Sequence, residues 1–368
     1  METLFSSILS WFICLGLLAS PTLGDVTFLR GQKWQIILTG IPDISKSPLP
    51  PMDAPVWDID LLDNNVATIT ALKASGKIVI CYFSAGTWED WRDDAGTFPM
   101  TDLGKVLPEW PNEKWIRTGS SKIREIMAKR IKIGAEKGCD AIDPDNTGTP
   151  QQNDNGLNLK NTDLVDYMKW LQKEAAKYGM KIGLKNSLDI IPTVSPYVDF
   201  AVNEQCAQLN ECNVYDAFLA SNKPVFHIEY PTPLTPAQAN TTLCTGTGTD
   251  GMSTVLKPMI LDGTVIYCDG SIVNTPTNGT TNPTRPPRPP TTPRPTPTTR
   301  PGSPPVKTSS AKPTSTPGNG GGCKQKHWDQ CGGNNWKGCT LCEVCMYGMV
   351  YTPTYNFLPT SSHAALIM

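Results

Sequence analysis

Histidine is nearly missing from this chain: it occurs three times in 368 residues, as His227, His327 and His363. Only His227 lies in the long first part, inside an apolar run, where a hydrogen-bonded core imidazole is the plainer reading. The shortage argues against a Ser-His-Asp triad and against a histidine-based metal site. A Gly-rich phosphate loop is also lacking after the first strand-like segment, so a nucleotide-binding fold has no support. Residues 271–322 hold no acidic residue against six basic ones. Beyond residue 24 nothing reads as a membrane span. The early apolar run, Leu4 to Ala19, is short and is followed by the small residues Ser20 and Gly24. It reads as a signal peptide over residues 1–24. A signal anchor is the alternative, since Glu2 rather than a basic residue precedes the run.

Cysteine, by contrast, occurs twelve times and in groups. Cys14 lies in the leader, six fall between Cys81 and Cys268, and five crowd into Cys323 to Cys345. Such grouping suits an oxidising compartment, and so a secreted, extracellular protein. Charge is grouped too. Residues 25–270 hold 23 Lys and Arg against 31 Asp and Glu, a net of −8. An acidic body suits a cationic or neutral ligand better than nucleic acid; solubility alone is the competing explanation.

Within residues 25–270, short apolar segments alternate with amphipathic ones. The strand candidates are 34–40, 54–60, 77–84, 139–146, 181–187, 199–206, 224–230 and 252–258. Helical spacing covers 120–138, ending on Gly138, and 161–179, opening on a capping Asn161 or Thr162. Eight strands with intervening helices in this length predict an α/β fold, a (β/α)8 TIM barrel, with an open doubly wound sheet as competitor. Residues 271–322 are a Pro/Thr-rich linker, too polar to fold. Asn240 and Asn278 sit in N-x-T sequons.

Barrel active sites form at the carboxyl ends of the strands. The polar residues there are Asp58 and Asp60, Tyr82 and Ser84, Asp143, Asp145 and Asn146, Lys185 and Asn186, Asn203 and Glu204, and Glu229 and Tyr230. Acids on several strand ends meet the need of glycoside hydrolysis: one carboxyl protonates the leaving oxygen, and a second acts as nucleophile or activates water. Helix capping or loop structure is the better reading for Asp60, Ser84 and Asn203. The segment IDPDN differs, because a buried strand runs straight into Asp143 and Asp145 on one side of the pleat. Neighbouring carboxylates push one pKa up, which suits a general acid. Calcium at these two aspartates is an alternative, without an EF-hand-like loop to support it. Residues 87–115 contain seven acids, three bases and four tryptophans. They suit either an acidic, aromatic-lined groove or tryptophans packed on the barrel.

Seven segments in order, WQIILTG, VWDIDLLD, CYFSAGTWEDWR, GCDAIDPDN, GLKNS, VNEQCAQLNEC and KPVFHIEY, resemble the endo-α-1,4-polygalactosaminidases of glycoside hydrolase family 114. The resemblance covers nearly all of residues 25–270 and implies a (β/α)8 barrel acting on a cationic, galactosamine-containing polysaccharide. It implies Asp145 and Glu204 as the catalytic pair, with Asp143 as a neighbour or reserve acid. Asp58, Tyr82, Lys185, Asn186, Glu229 and Tyr230 then look like sugar-contacting residues. Cys206 and Cys212 flank a short loop and are a candidate disulfide; Cys81 with Cys139 and Cys244 with Cys268 are further candidate pairs.

Residues 323–345 are similar to the fungal family 1 carbohydrate-binding module, a small disulfide-rich β module, through HWDQCGGNNWKG. The resemblance implies Trp328 on a flat aromatic strip and Trp336 at its edge or in the packing. Cellulose or chitin is the expected partner. The pattern then breaks. Cys345 follows Cys342 after two residues, five cysteines cannot all pair within the module, and residues 346–368 form an aberrant tail, as an altered reading of the gene's end would leave. The expectation is a secreted galactosaminan hydrolase with an incomplete module, needing no cofactor, nucleic acid or membrane. Another α-glycosidase, such as an α-galactosidase, or a non-catalytic wall-binding protein are the alternatives.

Overall fold

Period-two alternation sets the architecture. The computed structural model describes residues 26–107, 110–147 and 155–279. The expected leader, most of the linker, the module with Trp328 and Trp336, and the tail lie outside the described residues. Eight parallel strands run in spatial order: β1 (Trp34–Ile37), β2 (Val56–Asp60), β3 (Ile78–Ser84), β4 (Ala141–Asp145), β5 (Lys181–Lys185), β6 (Phe200–Glu204), β7 (Val225–Glu229) and β8 (Ser253–Leu256). Each falls inside an expected segment. Antiparallel β9 (Thr264–Tyr267) and β10 (Ile272–Asn274) extend the sheet beyond β8.

The inner row changes character along the barrel axis. At the amino ends it is apolar: Trp34, Val56, Ile80, Ala141, Phe200 and Phe226 are buried there. Phe28 packs its ring 4.8 Å from Phe200 and 5.9 Å from Phe226 and seals that end. At the carboxyl ends the row's buried residues include Asp58, Tyr82, Asp143, Asp145 and Lys185. The outer row, including Trp57, Ile59, Val79, Phe83, Ile142 and Leu184, joins the layer of helices. Each large apolar side chain removed from water there contributes about 1.5–3 kcal/mol.

Three full-length helices cover one half of the barrel: α1 (Val66–Ala74), α2 (Ser121–Lys137) and α3 (Asn161–Ala176). The Ser120 hydroxyl caps α2 by accepting from Ile123 N, and Gly138 closes it at φ 90°, a left-handed turn that suits glycine. Helix α3 starts differently from expectation. Asn161 is already helical, Lys160 is the cap residue, and the Asp163 carboxylate reaches back to Lys160 N at 2.8 Å. A carboxylate in the first turn satisfies that amide and complements the helix dipole. After β5, β6 and β7 the α-helical pieces are only four or five residues long. Among the described residues, two of the three disulfides, Cys206–Cys212 and Cys244–Cys268, fall in this thin half; Cys81–Cys139 joins β3 to the entry of β4.

Strands β1 and β8 meet through side chains. Trp34 Nε1 donates to Ser253 O at 2.7 Å, and Tyr267 Oη donates to Trp34 O at 2.9 Å. Gln35 Nε2 donates to Gly263 O, while Gln35 Oε1 accepts from Lys257 Nζ at 2.9 Å. Burial pushes the Lys257 amine down to about 7. The folded part also runs past the expected boundary at residue 270. Strand β10 pairs with β9, and Thr277–Asn278 pairs back with Ile41–Pro42. Main-chain pairing there overrides the linker-like composition.

Candidate active site

One ammonium and three carboxylates meet inside the carboxyl end of the barrel. Lys185 Nζ lies 3.7 Å from Asp143 Oδ2, 3.9 Å from Asp145 Oδ1 and 3.8 Å from Glu204 Oε2. Lys185 ends β5 between β4, which ends in Asp145, and β6, which ends in Glu204. Parallel pairing thus delivers both acids to the same cation. Each acid is also held by a tyrosine. Tyr82 Oη donates to Asp145 Oδ2 at 2.8 Å, and Tyr230 Oη donates to Glu204 Oε1 at 2.5 Å. An amide completes each cradle: Asn146 N donates to Asp145 Oδ1 at 2.8 Å, and Asn186 Nδ2 donates to Glu204 Oε2 at 3.0 Å.

Access separates the members of this cluster. The Asp145 and Glu204 side chains keep 11% and 13% exposure, whereas those of Lys185 and Asp143 have none. Asp58 is also fully buried. Among the described residues no hydrogen-bond donor from any third group reaches an oxygen of Asp58 or Asp143. The two carboxyls lie close enough within this buried space for the Asp143 charge to raise the affinity of Asp58 for protons. Burial, then the Asp143 charge, holds Asp58 well above the usual carboxylate range. Burial pushes Asp143 up to about 6, against the pull of Lys185.

The backbone turns sharply just beyond each of these side chains. Asn146 follows Asp145 at φ 58°, Asn186 follows Lys185 at φ 47°, and Gln205 follows Glu204 at φ 67°. Left-handed non-glycine residues carry a conformational cost that the surroundings must offset, and they gather at functional sites. Asn146 is held by Ser84 Oγ, which contacts Thr87 Oγ1, which in turn donates to Glu113 Oε2. Sequence reading missed this chain of contacts. Its one visible signal is an Asn directly after a strand-terminal acid or lysine, since Asn tolerates the left-handed region.

One expected sugar contact lies elsewhere, while Asp60, Ser84, Asn203 and His227 take the loop and core places expected of them. Glu229, expected beside the sugar, is fully buried and bonded to Ala207 N, Gln208 N and His227 rather than to the Lys185 cluster. Its neighbours Ile228 and Tyr230 belong to the inner cluster, so strand alternation turns Glu229 outward. Asp60 accepts from Leu62 N and Asp63 N and pairs with Arg92, so it builds the loop after β2. Ser84 bonds within the loop after β3, and Asn203 Oδ1 accepts from Cys206 N. His227 is a buried core residue bonded to Thr254 and Glu229.

Residues 87–107 and 110–116 hold three short strands, Thr87–Glu89, Trp110–Ile116 and Leu103–Leu107, side by side in that order. Glu89 and Asp94 pair with Arg92 and Arg130, and Trp91 and Trp115 are buried. Two of its acids, Glu89 and Glu113, are therefore spent inside the protein, while Asp90 and Asp93 stay exposed. Cys206, Cys212 and His227 also lie close together, but the two sulfurs are joined in a disulfide and offer no thiolate to a metal. Within the acid cluster the central cation is the Lys185 ammonium, in the place where a calcium reading of Asp143 and Asp145 would put an ion.

Paired, reachable carboxylates at the carboxyl rim of a parallel barrel define the site of a carbohydrate hydrolase. The chain belongs to glycoside-hydrolase family GH114, whose sequence model matches residues 19–273. A fungal cellulose binding domain matches residues 327–346. Among solved structures, Aspergillus fumigatus Ega3 in complex with galactosamine is 42% identical, with a TM-score of 0.62, over 66% of this chain and 98% of that one. The glycoside hydrolase domain of PelA from Pseudomonas aeruginosa shares the fold at 15% identity, with a TM-score of 0.52, over 64% of this chain and 98% of that one. Among curated proteins nothing matches.

Proposed function

We propose that this chain is a secreted hydrolase of α-1,4-linked, galactosamine-containing polysaccharide, with Asp145 and Glu204 as its catalytic carboxylates. One observation carries the assignment: of the acids gathered around Lys185, these two keep a path to solvent, and each has a tyrosine and an amide fixing its orientation. One carboxyl protonates the leaving oxygen while the other attacks or activates water. Lys185, Tyr82, Tyr230 and Asn186 hold the pair, and the buried Asp58 and Asp143 lie beneath it. The net charge of −8 over residues 25–270 favours a substrate bearing free amines. A free 2-amino group has no acetamido oxygen to attack the anomeric carbon, so the protein must supply both groups. The galactosamine bound by the 42%-identical Ega3 supports the sugar class.

Three disulfides and the apolar leader support an extracellular site. The domain order we infer is leader 1–24, hydrolase, Pro/Thr-rich linker, cellulose-type module from residue 323 with Trp328 and Trp336 toward cellulose or chitin, and tail 346–368. The deciding experiment incubates the purified hydrolase with galactosaminan and with neutral α-galactosides. Oligomers should appear from the first only and vanish in Asp145→Asn and Glu204→Gln. Binding without cleavage by the folded wild type would overturn the enzyme reading in favour of a binding protein. Cleavage of the neutral α-galactosides would overturn the substrate class.

A further inference from the structure

Five consecutive main-chain amides at and beyond the end of β6 each have a fixed acceptor. Glu204 N donates to Asn186 Oδ1 at 2.9 Å, Gln205 N to Ile228 O at 2.8 Å, and Cys206 N to Asn203 Oδ1 at 3.1 Å. Ala207 N and Gln208 N both donate to Glu229 Oε1, at 2.8 and 3.3 Å. The buried Cys206–Cys212 disulfide closes the same loop. So complete a set of partners leaves the loop little freedom.

Glu229 is the member of this set that a fold alone does not require. It is fully buried on the outer row of β7, one oxygen takes three donors, and Oε2 takes none. A buried carboxylate with an idle oxygen carries a desolvation cost. His227 fixes it from one side: Nε2 contacts Glu229 Oε1 at 2.8 Å, and Nδ1 contacts Thr254 Oγ1 at 3.0 Å. A Thr254 hydroxyl donating to Nδ1 leaves the ring proton on Nε2, aimed at Glu229. The carboxylate then clamps the turn that begins with the left-handed Gln205, directly behind Glu204.

We propose that Glu229, oriented by His227, is a positioning residue for Glu204 and not a sugar contact. The inference rests on the reading of Glu204 as catalytic. The test compares Glu229→Ala, Glu229→Gln and Glu204→Gln on galactosaminan, with thermal unfolding of each. Misplacing a catalytic group by about 1 Å costs about 10²-fold, so Glu229→Ala should lose about that much kcat with KM within about twofold. Glu229→Gln keeps an oxygen for the two amides and should recover about tenfold of the loss. A galactosamine oligomer should bind Glu204→Gln and the Glu204→Gln/Glu229→Ala double variant equally. Raised KM with normal kcat, or lost oligomer binding in the double variant, would make Glu229 a sugar contact and overturn the proposal. Normal kcat in folded Glu229→Ala would overturn it too. Should Glu229→Ala not fold, Glu229→Gln decides by the same split. An active Glu204→Gln sinks the catalytic reading itself; an inactive one beside fully active Glu229 variants sinks only the positioning role.

Discussion

Two buried ionic clusters stand at the carboxyl rim of this barrel, and they are built in opposite ways. Arg92 reaches Asp60 at 2.7 and 3.1 Å, Asp63 at 3.3 Å and Glu89 at 3.0 Å, so its planar fork meets oxygens at hydrogen-bond length on every side. Lys185 faces three carboxylates at 3.7 to 3.9 Å, and Asp58 and Asp143 beneath it receive no outside donor. A guanidinium saturates its acids; an ammonium acts as a point charge and leaves their lone pairs in place. The saturated cluster ties the loop after β2 to the excursion after β3. The other leaves Asp145 and Glu204 oriented by neutral donors and partly open to solvent.

Breaking each cluster should therefore damage a different property. The largest effect is expected at the saturated site. Arg92→Met strands three buried acids and should cost about 3–5 kcal/mol of stability in denaturant unfolding, with near-normal kcat in whatever folds. A large kcat loss without destabilisation would remove the distinction. Lys185→Met should do the reverse, lowering kcat about 10²-fold with a much smaller stability change. Without the ammonium Asp143 keeps its proton to higher pH, so the acid limb of the pH–rate profile should move up. An unmoved limb would show that Lys185 does not tune it.

The smallest effect sharpens the contrast. Asp58 and Asp143 have raised folded-state values, so the folded protein binds the extra proton. Stability from this pair is fully present below about 4, the unfolded carboxylate value, and is lost as pH rises through the folded value of about 6 for Asp143. Asp58→Asn removes one buried titrating carboxyl beside Asp143 and puts an uncharged amide in its place. It should raise the melting midpoint by about 2–4 °C at pH 7 and leave it nearly unchanged at pH 4. Equal shifts at both pH values would count against a raised Asp58.

The strands were legible because apolar and polar residues alternate between turn formers, and all eight fall in the expected segments. Asp145 and Glu204 could be singled out only through family resemblance, since a strand-terminal acid looks alike whether it caps, pairs or catalyses. Glu229 shows the limit. In VFHIE both faces of the strand are buried, so alternation reveals two faces without revealing which is inside. The acids of residues 87–115 left two readings open for another reason. Counted along the chain they suggest a groove, but Arg92 and Arg130, the latter distant on α2, consume Glu89 and Asp94.

The side-chain seam between β1 and β8 has a mechanical meaning. Cut there, the barrel is a curled strip with two ends, and every residue of the Lys185 cluster, from Asp58 on β2 to Tyr230 just beyond β7, lies on the uninterrupted stretch between them. Loosening at the seam spends its motion on Trp34, Gln35 and Lys257 and leaves the ladders joining the acids intact. The break in main-chain pairing thus lies on the far side of the strip from the acids.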